Sequence, residues 1–250
     1  MTPTLGLTRK AAAGPYDKGF VFGRLERVMH PTDSLGQLFA AAFDVLKTYR
    51  PRRPIHPQGV LLKGTLERIG GGASSGIEFL DTAGTNAVTA RLSCSLGVPI
   101  SWPDIIGLAI RVHTDDGDGD VLLASTGWGV PDRFALTWHR TAGAARLSSL
   151  MPYRGRRGAV LIGAKTTSAD PGAPGRVRPD ALWELDLFWA KPTGPWRRFG
   201  LLSLTPDLDA EGRVQDTALR FDPLLNVLPT AGTYEWTRRL REHSYRLARS

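Results

Sequence analysis

Between residues 59 and 204 the chain is a series of short runs in which apolar and polar residues alternate, separated by turn-forming residues. A period of two is the signature of strands with one buried face, and it restricts the fold more than any other feature. Val88, Ala90, Leu92 and Cys94 fall on one face of such a run, and Thr89, Arg91 and Ser93 on the other. Ile106, Leu108, Ile110 and Val112 form a second set. Gly59–Glu67 is β-rich, and further strand signals lie at Val121–Ser125, Phe134–Trp138, Ala159–Gly163, Leu182–Trp189 and Phe199–Leu204. About eight strands at this spacing predict a closed antiparallel barrel or a sandwich.

Helical spacing occurs at both ends. Asp33 or Ser34 can cap a helix in which Leu35, Leu38, Phe39, Ala42, Phe43 and Leu46 recur, ending near Tyr49 before Pro51. A second amphipathic helix is expected over 234–249. Residues 1–31 read as an extended arm, and Thr167–Pro179, rich in Pro, Gly and Ala, as a surface loop. The fold class is therefore α+β, mainly β.

Composition narrows the function classes. A single cysteine excludes an intrachain disulfide and a cysteine metal cluster. No apolar run is long enough to span a bilayer, and the first residues have no apolar signal core, so a cytoplasmic location is expected. The net charge of +8 invites a nucleic-acid reading. However, the arginines form small scattered clusters, such as Arg50–Arg53, Arg154–Arg157 and Arg238–Arg241, and read mostly as a solvated surface. No specific nucleic acid is expected as partner.

Most motif-like stretches have ordinary explanations. Asp115–Asp120 has calcium-loop composition but lies between two strands and reads as a hairpin turn. Gly70–Gly76 has the composition of a phosphate cradle without the Gly-Lys-Ser/Thr ending or a following helix, and reads as a loop. Cys94, on an apolar face, reads as a packed thiol. His30, His113, His139 and His243 lack metal-ligand spacing. Two stretches are more specific. Arg53-Pro-Ile-His56-Pro-Gln-Gly59 runs into a strand. Arg241 and Tyr245 lie one turn apart on the last helix, where a guanidinium would favour the phenolate, a type of haem-iron ligand.

The order of these stretches resembles the catalase superfamily. Its Arg-x-x-His-x-x-Gly is matched by Arg53, His56 and Gly59, and its Val-Arg-Phe-Ser strand by Ala90-Arg91-Leu92-Ser93. Its Asp-Pro-Arg-Gly-Phe-Ala-Val-Lys-Phe corresponds to Asp104-Ile-Ile-Gly107-Leu-Ala109-Ile-Arg-Val112, followed by an acidic hairpin and Asp120-Val-Leu. Its closing Arg-x-x-x-Tyr is matched by Arg241 and Tyr245. The resemblance implies one catalase-like domain over 1–250, with the barrel at 56–205 and the helix 33–49 before it. It also implies haem b as cofactor, with Tyr245 as proximal iron ligand, Arg241 keeping it ionised, His56 as distal base, and Arg53 and Arg91 on the propionates.

Some positions depart from the family. Ala124 stands where an asparagine orients peroxide, Thr126-Gly-Trp128 replaces the phenylalanine-rich stretch over the haem, and Ile106 replaces the arginine of Asp-Pro-Arg-Gly. The short length resembles the minimal catalase-related peroxidases. The expected partners are a peroxide and an unidentified small reductant, with a homodimer admissible. The expected activity is that of a peroxidase with weak catalase turnover. The alternative is a catalase-type barrel that binds haem or a lipid-like ligand without efficient peroxide chemistry.

Overall fold

A computed structural model describes residues 58–99, 102–217 and 219–239. The expected helix 33–49 and the arm lie outside the described residues, as do Arg53, His56, Arg241 and Tyr245. The expected closing helix is described only at its start, where 235–239 are helical.

The strands, in chain order, are β1 (Gln58–Arg68), β2 (Gly84–Cys94), β3 (Ile106–Thr114), β4 (Gly117–Ser125), β5 (Arg146–Ser148), β6 (Tyr153–Gly155), β7 (Gly158–Thr166), β8 (Trp183–Ala190) and β9 (Arg197–Pro206). All pairings are antiparallel. They run β5-β4-β3-β2-β1-β9-β8-β7, and β7 pairs back onto β5, so eight strands close into a barrel. β6 is a short flap on β7. Of the sandwich and the barrel that alternation left open, the β5–β7 pairing selects the barrel, and closure removes exposed sheet edges.

Alternation decides which face is inside. Leu62 and Leu66, then Val88, Ala90 and Leu92, then Leu108 and Ile110, and finally Leu185, Leu202 and Leu204 are buried and form one core. A gap in it is a cavity of about 20 Å³ walled by apolar side chains such as Ile110, Ile162 and Leu202. That is the room of a single water, as an eight-stranded barrel filled by its own side chains requires.

The two barrel mouths are closed differently. At one, Trp183 is 1% exposed and donates from its indole to Thr166, 3.0 Å away. The connection from β7 to β8 buries Ala173 and Val177 there, so this expected surface loop contributes to the core. At the other, the short helix α1 (Glu78–Asp81) inserts Phe79 and Leu80. The amide of Phe79 donates to the Thr230 hydroxyl (2.9 Å), which ties the plug to the C-terminal segment.

One further sequence expectation needs correction. Phe134–Trp138 is not a strand. Asp132–Phe134 is a 3-10 turn, and only isolated bridges follow, Thr126 with Leu136 and Asp104 with His139. Its place in the barrel is taken by β5, whose three residues are too few to show a period. The expected hairpin at Asp115–Asp120 is present: Thr114 pairs with Gly117, leaving Asp115 and Asp116 as a two-residue loop. Gly117 there has φ +117, a conformation that glycine adopts without strain.

Candidate functional site

The outer wall of β1–β4 carries the one expected site residue that is described, Arg91. Leu61, Arg91, Ala109 and Leu122 are in register across four strands, and Gly59, Ser93, Gly107 and Ala124 form the next row. Both rows face away from the core. Apart from Arg91 and Leu61 on β1–β2 and Leu122 on β4, the side chains are small, so the wall is low and smooth.

Arg91 does not stand out from this wall. Its guanidinium lies flat across β1 above Gly59, where a Cβ would come within 2.6 Å of it. It reaches Asp216, to which Nε and Nη2 each donate at 2.7 Å. Such a fork-to-carboxylate pair is the strongest geometry that arginine offers. Partial burial opposes ionisation of Asp216. The Arg91 fork and the amides of Thr217 and Gly59 outweigh it and hold the carboxyl below its ordinary range. Gly59, a family-motif position, therefore leaves room for this guanidinium, which a side chain there would displace. Asp216 lies 125 residues from Arg91, and no sequence signal connected them.

A second charged group lies on the same wall. Asp120 is fully buried, and Arg111 donates to it through Nε and Nη2 at 2.7 Å each. The Asp222 amide (2.7 Å) and the Asn226 side-chain amide (2.9 Å) also donate to Asp120. The bonds to Asp120 raise the Arg111 pKa further. Both carboxylate oxygens are engaged and three donors converge on one of them, so this group clamps segment 220–226 to the barrel.

Among the described residues, His113 and Cys94 behave structurally. His113 Nδ1 lies 2.8 Å from Asp118 and its Nε2 2.9 Å from the Thr89 hydroxyl. Thr89 is mid-strand with ladders on both sides. Burial, aided by the nearby Asp104 charge, pushes the Cys94 thiol up to about 11, so it stays protonated and inert. Among the described residues no group of three or more His, Cys, Asp or Glu converges on a metal position, and no helix is long and apolar enough to cross a membrane.

No protein-family model matches the sequence, and no curated protein matches it either. In structure the chain is similar to a bacterial catalase, with a TM-score of 0.55 and 12% sequence identity. The match covers 96% of this chain and 67% of the catalase. At that identity the likeness establishes a catalase-like fold.

Proposed function

We propose that the protein binds haem b against the outer wall of β1–β4 and carries out peroxide chemistry with weak catalase turnover, in the manner of a minimal catalase-related peroxidase. The observation that carries this reading is a catalase-like barrel whose outer wall at Gly59, Ser93, Gly107, Ala109 and Ala124 is built of small residues beside a guanidinium, with Ser93 and Gly107 buried. A planar macrocycle needs such a wall, because any larger side chain would hold it away from the strands. The filled lumen supports the same placement, since a cavity of about 20 Å³ admits no cofactor.

In this reading Tyr245 is the iron ligand, Arg241 keeps it ionised, and Arg53 and Arg91 hold the propionates. When bound, haem iron supplies the redox-active Lewis acid. His56 takes a proton from peroxide and returns it to the departing oxygen, a role contributing roughly 10²–10⁴-fold. Ala124 offers no amide to orient peroxide, so peroxide held by His56 alone should give poor oxygen evolution. Arg91 fits with one condition: Asp216 occupies its fork, so a propionate must share or displace that carboxylate.

The test is an absorption spectrum of the full chain reconstituted with haem, followed by rapid mixing with peroxide. A stoichiometric Soret band that changes in Tyr245→Phe supports the ligand assignment. A peroxide reaction slowed at least about tenfold in His56→Ala supports the base. Absence of a Soret band overturns the reading. A Soret band with no peroxide reaction favours the second reading, a barrel put to binding alone, for which Ala124 is the specific observation.

A further inference from the structure

We propose that the barrel mouth away from Gln58 holds a binding site for an organic phosphomonoester, independent of the haem reading. A cleft of about 370 Å³ opens there between the β1–α1 loop and the start of β9. Its apolar wall is formed by Ile69, Leu80, Trp189 and Phe199, and its polar side by Gly70, Gly72, Ala73, Arg197 and Arg198. The volume is within the range of small-ligand sites, roughly 300–1,000 Å³.

Three features select the ligand. First, Gly70 and Gly71 have φ of +61 and +67, which turns the backbone back on itself, and no side chain covers Gly71 or Gly72. None of the amides from Gly70 to Ser74 donates to a protein acceptor among the described residues, whereas those of Ile69, Ser75 and Gly76 all do. A run of unpaired N–H groups in a left-handed turn is a concave donor set suited to an anion with several oxygens. Second, the Arg197 guanidinium makes no hydrogen bond or ion pair among the described residues, its backbone being paired in the β8–β9 ladder. Its guanidinium carbon lies 6.0 Å from the centre of the Trp189 ring. By contrast Arg198 is paired with Asp186 at 2.6 Å, and Lys191 donates to the carbonyls of Ser75 (3.0 Å) and Arg157 (2.8 Å). Arg197 is thus the charge available to a ligand, and its fork matches phosphate. Third, Ile69 is 52% exposed at the rim, apolar surface that an organic group would cover.

The acidic group in the cleft does not oppose this. Asp81 accepts from the Ser74 hydroxyl (2.8 Å) and from the amides of Ser75 (2.7 Å) and Gly76 (3.2 Å), so its carboxylate organises the loop. The charges around the cleft are Arg197, Arg198, Lys191 and Arg157 against Asp81 and Asp186, a positive balance.

The experiment is a titration of the full chain with inorganic phosphate, phenyl phosphate and benzoate, read by calorimetry and by backbone amide chemical shifts. Saturable binding of phenyl phosphate, tighter than inorganic phosphate and benzoate, with shifts confined to Gly70–Ser74 and their surroundings, is expected. Arg197→Gln should weaken it at least about tenfold. Ile69→Ser should reduce the preference for phenyl phosphate while leaving inorganic phosphate affinity unchanged. Equal binding of benzoate, undisturbed Gly70–Ser74 amides on binding, no saturable binding in the wild type, or wild-type affinity in Arg197→Gln would each overturn the proposal.

Discussion

At the scale of single residues, the outer wall is governed by two bidentate arginine–carboxylate pairs with different consequences. Arg91 and Asp216 are partly accessible, so their pair can be exchanged for a ligand. If a propionate uses Arg91, Asp216→Asn should raise haem affinity by releasing the fork, whereas Arg91→Ala should lower it by about 1.5–3 kcal/mol. Haem titration of both variants checks this, and equal affinities would remove Arg91 from the cofactor site. Asp120 and Arg111 are more deeply buried, and their pair serves stability. Asp120→Ala leaves Arg111 and the donors of segment 220–226 without their acceptor and should cost about 3 kcal/mol or more in denaturant unfolding. A cost under about 1 kcal/mol would mean that water replaces the carboxylate, as at an exposed pair.

At the scale of elements, the β1–α1 connection is organised by one carboxylate. The donors from Ser75, Ser74 and Gly76 prevail over partial desolvation and hold Asp81 below the ordinary aspartate range. A folded value below the unfolded one stabilises the loop at pH above the unfolded carboxylate range. That contribution is lost as pH falls through the folded value. Asp81→Asn should therefore flatten the acid limb of the stability curve and speed amide exchange at Ser75 and Gly76. An unchanged acid limb would show that the carboxylate does not organise the loop. Strand elements follow the same logic of local cause. β2 and β3 could be read from alternation because apolar side chains on one face of each fill the core while the other face carries small and polar residues that are mostly only partly buried. β5 could not, because three residues contain no period, and it is a strand only because β4 and β7 need a partner between them.

At the scale of the whole molecule, closure fills the lumen and moves function to the outer wall and the mouths. A lipid-like ligand, if the protein takes one, must bind outside the barrel. Leu202, fully buried, tests how tightly the lumen is packed: Leu202→Ala should cost about 2–5 kcal/mol. Xenon-induced shifts should appear in the lumen of that variant and be absent from the wild type. Lumen shifts in the wild type would contradict a filled barrel.

The sequence by itself determined the mainly-β class, which faces of β2 and β3 are buried, the acidic hairpin and the inert Cys94, because alternation and turn chemistry act over a few residues. The ordered motifs also pointed to the catalase-like barrel, with Gly59 and Arg91 among them. Only the tertiary structure decided the rest. The β5–β7 pairing selected barrel over sandwich, Asp216 met Arg91 across 125 residues, segment 220–226 was clamped by Asp120, and the glycine-rich β1–α1 loop came to line one cleft with Arg197. Each of these is a meeting of groups far apart in the chain. No local pattern records such a meeting, since it arises when strands twist, close and bring distant side chains to one surface.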